Sequence, residues 1–239
     1  MGLYRDEGVV LRTIKLGETD RIVTLLAHRS GKVRAVAKGV RKPGSRFGAR
    51  LEPTSHVAFQ CYRGRELDVV TQVETITAHR ALREHYGCVT HAVSMLEVVD
   101  QVAPEREPNP DLYRMLVGAL RTLDEQPSPL VSTAFFWKVL ALEGFQPVLD
   151  TCTRCGDDAG PFVAVDLDEG GVLCDPCSST AGRRVDPAAV AVIADIVGGR
   201  LRAVLAAPPP PEVLADVERL AIRAVEYHSE RRLRSAALL

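Results

Sequence analysis

The stretch Ser30-Gly31-Lys32-Val33-Arg34-Ala35-Val36-Ala37-Lys38 sets cationic residues against small apolar ones in alternation. Successive side chains of a strand point to opposite faces, so this spacing predicts a strand with one face in a core and the other carrying charge. On its N-terminal side, Gly8–Leu16 and Arg21–Leu26 are rich in β-branched residues. The turn-like Gly17-Glu18-Thr19-Asp20 separates them. On its C-terminal side a Gly-, Pro- and Arg-rich loop covers 39–49. Two further β-rich runs follow, His56–Tyr62 and Leu67–Glu74, on either side of Arg63-Gly64-Arg65. Five short strands within about eighty residues fit a small closed barrel of the OB type, a fold known for binding single strands.

The charge of this region points the same way. The whole chain of 239 residues has a formal charge of −1, yet residues 1–80 carry +7 and the remainder −8. No acidic residue lies between Asp20 and Glu52, where Arg21, Arg29, Lys32, Arg34, Lys38, Arg41, Lys42, Arg46 and Arg50 all fall. Such a local cationic field attracts polyanions whatever the net charge, so nucleic acid is the expected partner. Arg34, Lys38, Arg41, Lys42 and Arg46 are the predicted phosphate contacts. Phe47, Phe59 and Tyr62 are the main aromatic candidates for stacking on bases.

Beyond Thr77 the period becomes helical. Val89, Ala92, Val93, Leu96 and Val99 make one apolar face. Asn109 is placed to cap the next helix with Pro110 in its first turn. That helix aligns Leu112, Met115, Leu116, Ala119, Leu120 and Leu123, with Arg114 and Arg121 on another face. Leu130–Leu142 is apolar almost all round and belongs in the middle of a bundle. A helix from the Asp186 cap to about Val204, and another starting near Pro211, complete the chain. The predicted fold is multidomain α+β: a five-stranded OB barrel over 1–80, then an α-helical domain over 81–239 with a module inserted at 150–180.

That module holds four of the six cysteines, as Cys152-Thr153-Arg154-Cys155 and Cys174-Asp175-Pro176-Cys177. Two C-x₂-C pairs at this separation match a zinc pattern, because a two-residue gap lets both thiolates of a pair reach one ion. Cys152, Cys155, Cys174 and Cys177 are therefore the predicted ligands of one Zn²⁺ per chain. Four sulfurs fill a tetrahedral ion, so the site is expected to be structural. Gly156 is suited to the positive φ of such a turn, and a hairpin through Pro161–Val165 and Gly171–Leu173 is expected to bring in the second pair. Arg154, Arg183 and Arg184 are expected to balance the charge. Cys61 and Cys88 read as small core residues.

The chain lacks G-x-x-x-x-G-K-[ST], G-x-G-x-x-G and G-x-S-x-G patterns, and its six histidines are scattered. No catalytic residues are predicted, and the chain is expected not to be an enzyme. It has no apolar run of membrane-spanning length and no signal-peptide pattern, so a cytoplasmic location without membrane contact is expected.

Several stretches together resemble the RecO family of bacterial DNA repair and recombination mediators. They are Gly8–Leu11 leading to Gly17–Val23, Ala37–Lys42 with Ser45-Arg46-Phe47, and Phe136–Pro147 running into Cys152–Gly156. The resemblance covers nearly the whole length. It implies binding of single- and double-stranded DNA, annealing of complementary strands and, with RecR, help in loading RecA onto strands coated by single-strand binding protein, the RecFOR pathway. A nucleoid-associated place in the cytoplasm follows from that role. The resemblance also suggests that the helical domain takes the acidic tail of single-strand binding protein, for which Arg114, Arg121 and Lys138 are the candidate contacts. From the residues alone, a zinc-containing RNA-binding or transcription-associated protein is the alternative.

Overall fold

The computed structural model describes residues 2–45 and 47–239. The chain divides into two compact units, Met1–Ser128 with Arg234–Leu239, and Pro129–Leu233.

Among the described residues of the first unit, five strands close into an OB-like barrel: β1 (Leu3–Leu16), β2 (Asp20–Ala27), β3 (Gly31–Ala37), β4 (His56–Tyr62) and β5 (Asp68–Thr77). The order round the barrel is β1-β2-β3-β5-β4. β1 starts five residues earlier than the β-rich run at Gly8. Its first half is polar and gives no apolar alternation, yet it pairs antiparallel with β4 from Leu3↔Tyr62 to Val9↔His56. Its second half pairs with β2, and the register shifts between Val10 and Arg12. A bulge of this kind bends a long strand so that it can serve two neighbours. β3 runs antiparallel to β2 and meets β5 in parallel only at Ala35↔Asp68 and Val36↔Val69.

Val10, Val23, Leu25, Val33, Ala35, Ala37, Leu51, Val57 and Cys61 fill the barrel interior. Burial pushes the Cys61 thiol up to about 12, in keeping with a core role. The alternation at 32–38 therefore reads correctly: Val33, Ala35 and Ala37 are buried, while Lys32, Arg34 and Val36 lie on the outer face.

Three helices follow: α1 (Arg80–Glu84), α2 (Tyr86–Val102) and α3 (Pro110–Glu125). The Asn109 side chain accepts the Leu112 amide at 3.0 Å and Pro110 occupies the first turn, as the cap pattern predicts. The Asp124 carboxylate accepts the Leu82 amide at 2.9 Å, which joins α3 to α1. The loop between α2 and α3 runs along the open edge of β3. Glu105 bridges Lys32 in parallel, and the Arg106 amide donates to the Lys32 carbonyl at 2.9 Å. Arg106 also reaches the fully buried Asp68 at 3.1 Å, where the Tyr4 hydroxyl (2.6 Å) and the Gly64 amide (3.0 Å) donate as well. A buried carboxylate needs such partners, and here they fasten the loop to the barrel. The chain end returns to this unit, where the Arg234 and Ser235 amides donate to Glu97 at 2.9 Å each.

The second unit is built on α4 (Pro129–Leu142), β6 (Phe162–Asp166), β7 (Gly171–Cys174), the single turn α5 (Asp175–Ser178), β8 (Arg183–Arg184), α6 (Pro187–Val197), α7 (Leu201–Ala206) and α8 (Pro211–Ser229). α4 is buried on nearly every side, and the Trp137 indole donates to the Val217 carbonyl of α8 at 3.3 Å. The helix expected over 186–204 is interrupted. α6 ends at Gly198-Gly199, where Gly199 takes φ +85, and α7 restarts after Arg200. Two adjacent glycines are poor helix formers, and the second is free to turn the chain. No helix among the described residues is long and apolar enough to cross a membrane.

Candidate metal centre and nucleic-acid face

The 150–180 segment folds as two knuckles carried by a hairpin. In the first, the Gly156 amide donates to the Cys152 carbonyl at 2.8 Å, and Gly156 takes the positive φ expected of it, +76°. The Thr153 amide donates to the Val172 carbonyl of β7 at 3.0 Å, which sets this knuckle against the hairpin. In the second, Cys174 ends β7 and precedes α5, whose turn carries Cys177. β6 and β7 pair from Phe162↔Cys174 to Asp166↔Gly171, and β8 adds to the far side of β6. The Val172 amide also donates to the Val148 carbonyl at 3.0 Å, so the chain entering the module is tied to β7. A Cβ on Gly171 would lie 2.5 Å from that carbonyl oxygen, so only glycine allows the approach.

The four Sγ atoms of Cys152, Cys155, Cys174 and Cys177 all lie within 4.8 Å of one another, and those of Cys155 and Cys174 are 3.7 Å apart. A metal bonded to four sulfurs at about 2.3 Å holds them about 3.8 Å apart in a tetrahedron. The four cysteines are thus close enough together to bind a metal ion, and their donor set fits a thiophilic one. Burial raises the Cys152 thiol, but main-chain hydrogen bonds from Cys174, Cys155 and Arg154 outweigh it and bring it down to about 6. Cys177 is pushed up to about 12, first by its hydrogen bond to Cys174 and then by burial. Deprotonation is eased at Cys152 and resisted at Cys177, and a bound divalent cation would favour the thiolate at both.

Of the flanking arginines, Arg154 stands beside Cys177 as expected and has other partners as well. Arg154 pairs with Glu169 and also donates to the Cys177 carbonyl (3.1 Å) and the Thr180 hydroxyl (2.7 Å), so it clamps one knuckle to the other. Arg184 pairs with Asp175.

On the barrel, the five predicted phosphate contacts do not stand alike. Lys38, Arg41 and Lys42 are exposed and form no ion pair among the described residues. Their loop is held by the β1–β2 turn. Asp20 accepts the Gly39 amide at 2.7 Å, and the Arg41 guanidinium donates to the Glu18 carbonyl at 2.8 Å. The Gly39 amide, then the Thr19 hydroxyl, hold the Asp20 carboxyl below its ordinary value, so this anchor stays ionised. Arg34 instead faces Glu105 at 3.7 Å. Arg46 lies outside the described residues. Two further cations of the acid-free stretch are matched by acids: Arg21 by Glu52 at 2.7 Å, and Lys32 by Asp100 at 3.6 Å. Asp100 also pairs with Arg12 at 2.6 Å. These acids come from distant segments, and no local pattern in the sequence signals them.

Of the aromatic candidates, Phe47 and Phe59 are in the barrel core and only Tyr62 is exposed. The interior of a barrel this small needs large apolar side chains, and the barrel takes both phenylalanines for it. Arg114 and Arg121 lie exposed on α3 in the first unit, with Arg114 paired to Asp111, and Lys138 is half-buried on α4 in the second unit.

Comparison with known proteins agrees with this architecture. Residues 1–79 match the family model "Recombination protein O N terminal", and residues 83–237 match "Recombination protein O C terminal". A DNA repair protein RecO of Frankia casuarinae is 42% identical over 243 residues, covering 100% of this chain and 99% of the relative. That of Thermobifida fusca is 45% identical over 203 residues, 83% of each chain. That of Bifidobacterium longum is 40% identical over 247 residues, 100% and 99%. With both of its halves matched and full-length relatives at this identity, the chain belongs to the recombination protein O family, whose members serve DNA repair and recombination.

Proposed function

We propose that this chain binds single- and double-stranded DNA and anneals complementary strands without making or breaking a covalent bond. The observation that carries this is the loop Lys38–Lys42, whose three cations are exposed and form no ion pair among the described residues, on a closed OB-like barrel. Annealing brings two polyanions together, and a cationic surface lowers their repulsion by neutralising phosphates and releasing counterions. No catalytic group is required, so the protein is not an enzyme. Lys38, Arg41 and Lys42 are the primary contacts, Arg46 belongs with them by sequence, and Arg34 is a secondary one behind Glu105.

In this reading the four-cysteine cluster holds one Zn²⁺ in a structural role, supported by the filled tetrahedral donor set. Membership of the family supports work alongside RecR and single-strand binding protein in the loading of RecA, in the cytoplasm at the nucleoid. Arg114, Arg121 and Lys138 remain the candidate contacts for the acidic tail of single-strand binding protein.

The test is to change Arg41 and Lys42 together to Glu in the full chain and to titrate DNA across a salt series. Affinity falls for every sequence alike, and the salt dependence flattens by about one unit of slope per lost contact. Unchanged affinity and slope reject this face. Tighter binding of RNA than of DNA by the unmodified chain rejects the DNA reading.

A further inference from the structure

Val89, Ala92 and Val93 share one stripe of α2, at the i, i+3, i+4 spacing of a core face. Only Ala92 is buried; Val89 and Val93 are half-buried. With Leu82 of α1 and Pro53 from the segment before β4, they wall an apolar cleft of about 330 Å³ in the first unit. The barrel side of this cleft is fixed by main-chain bonds. The Thr54 amide donates to the Val10 carbonyl at 3.0 Å, and the Val10 amide donates to the Ser55 carbonyl at 2.9 Å. Thr54, which lines the cleft, is unusual on two counts. It takes φ +72, which a β-branched residue adopts only under constraint, and its buried hydroxyl has no hydrogen-bond partner among the described residues. Departures of this kind collect at ligand sites.

Arg83 stands between this cleft and a second one, of about 390 Å³, and lines both. Its guanidinium donates to the Ser55 hydroxyl at 2.7 Å and to the Pro53 carbonyl at 3.5 Å, so it is held in place without a carboxylate. Arg50 and Arg80 line the second cleft too, with the hydroxyl-bearing Ser45 and Thr75. Arg80 and Arg83 are exposed and form no ion pair among the described residues. Among the described residues lining either cleft Glu52 is the one acid, and its carboxylate pairs with Arg21 at 2.7 Å. Glu84, next to Arg83 in the chain, lines neither. The second cleft is therefore cationic and rich in donors, and arginine forks match the oxygens of a phosphate.

We propose that the two clefts together bind a small organic phosphate, with its apolar body against Val89 and Val93 and its phosphate on Arg83 and Arg80. The site shares no residue with the Lys38–Lys42 loop and does not depend on the DNA-binding reading. Charge complementarity calls for an anion, and the adjoining apolar cleft calls for a compact body attached to it. Clefts of this size suit a small molecule. A nucleic-acid strand instead tracks a charged groove with its bases stacked along it, whereas these arginines line one concave spot. Pro53 and Thr54 lead into β4, while Val89 and Val93 belong to α2, so a bound ligand ties barrel to helix. It thereby stabilises the folded chain by mass action.

The test uses the full chain with phenyl phosphate, inorganic phosphate and phenol as probes. Calorimetric titration reads affinity, and thermal unfolding reads stabilisation. Phenyl phosphate binds about ten-fold more tightly than inorganic phosphate, as burial of one ring provides, and raises the melting temperature. Phenol, which has no phosphate, does neither. Arg80→Gln combined with Arg83→Gln lowers the affinity for phenyl phosphate about ten-fold or more, because two charge-assisted contacts are lost. Val93→Thr, which keeps the shape but not the apolar surface, brings phenyl phosphate down towards inorganic phosphate and leaves the latter unchanged. Circular dichroism checks that each variant folds; should Val93→Thr not fold, the two exposed arginines still read the site. No binding of phenyl phosphate, equal affinity for phenyl and inorganic phosphate, or binding indifferent to the arginine pair overturns the proposal. Two larger probes decide the occupant. A 5′-phosphorylated thymidine oligonucleotide that binds more tightly than phenyl phosphate, needs its 5′-phosphate and is lost in the arginine variant makes the occupant a strand end and overturns the small-molecule reading. An acidic peptide ending in phenylalanine that meets the same two criteria of tightness and loss overturns it in favour of a protein tail.

Discussion

The Arg34 guanidinium lies 3.7 Å from the Glu105 carboxylate, contributed by the loop between α2 and α3. One cation of the basic strand is thereby matched from a segment some seventy residues away in the chain. The pair is partly exposed, with 37% of the Arg34 side chain and 53% of Glu105 open, so it contributes at most about 1 kcal/mol to stability. Its effect on the local field is larger. Glu105→Gln frees Arg34 to act on phosphate, so affinity for single-stranded and duplex DNA at low salt rises about three-fold and the salt slope steepens by up to about one unit. Adding Arg34→Gln cancels the gain. A salt titration by fluorescence anisotropy reads both, and an unaltered slope in Glu105→Gln places Arg34 away from the DNA.

The same loop rests on Gly31. This residue takes φ +68, and a Cβ built there would lie 2.2 Å from the Glu107 carbonyl oxygen. Gly31→Ala therefore meets both backbone strain and a main-chain clash, and costs more than about 1 kcal/mol. Gly44 has a similar φ, +73, but no heavy atom within 4 Å of its built Cβ. Gly44→Ala carries the strain without the clash. Urea unfolding of the two variants separates the terms: Gly31→Ala has the lower midpoint, and equal midpoints would show that the loop gives way freely.

Removing the metal ligand set acts on the second unit. Cys152→Ser or Cys174→Ser abolishes stoichiometric zinc in protein purified without chelator, as elemental analysis reads. It also opens the 150–180 module to protease, because binding energy at such a site is folding energy. Chelation of the unmodified chain reproduces the protease pattern, and zinc restores it. One zinc per chain retained in Cys174→Ser sinks the assignment.

Three histidines of the first unit couple its stability to pH. Burial holds the imidazoles of His56, His79 and His91 below their ordinary value. At His79 both ring nitrogens lack a hydrogen-bond partner, and the nearest carboxylate, Asp124, is 3.7 Å away. The unfolded chain then binds more protons than the folded one below about pH 6.5, the ordinary histidine value. Stability is full above that value and falls as pH drops, by up to about 1.4 kcal/mol per pH unit for each histidine, until the depressed folded values are passed. His79 has φ +44, which asparagine accepts. His79→Asn accordingly flattens the decline between pH 6.5 and 5 in urea unfolding. An identical pH profile assigns the dependence to the other two.

Much of this was legible in sequence. The alternation at 32–38 named the inward residues of β3 because a strand has period two. The spacing of Cys152, Cys155, Cys174 and Cys177 named the cluster because two-residue gaps have few other uses. The Asn109-Pro110 pair marked the start of α3 because the cap is made within four residues. Each is a local rule, satisfied by neighbours in the chain.

What the sequence by itself determined is thus the element types, the barrel, the cysteine site and the sign of the charge on the N-terminal segment. Tertiary structure decided which charges and which apolar groups are available. Lys32 and Arg34 read like Lys38 and Arg41 until Asp100 and Glu105 are set beside two of them and not the others. Phe47 and Phe59 read as candidates for stacking on bases until the barrel interior takes both. The reason is physical. Propensity and periodicity act over a few residues, whereas ion pairing and burial depend on which distant segments the closed chain brings within a few ångströms.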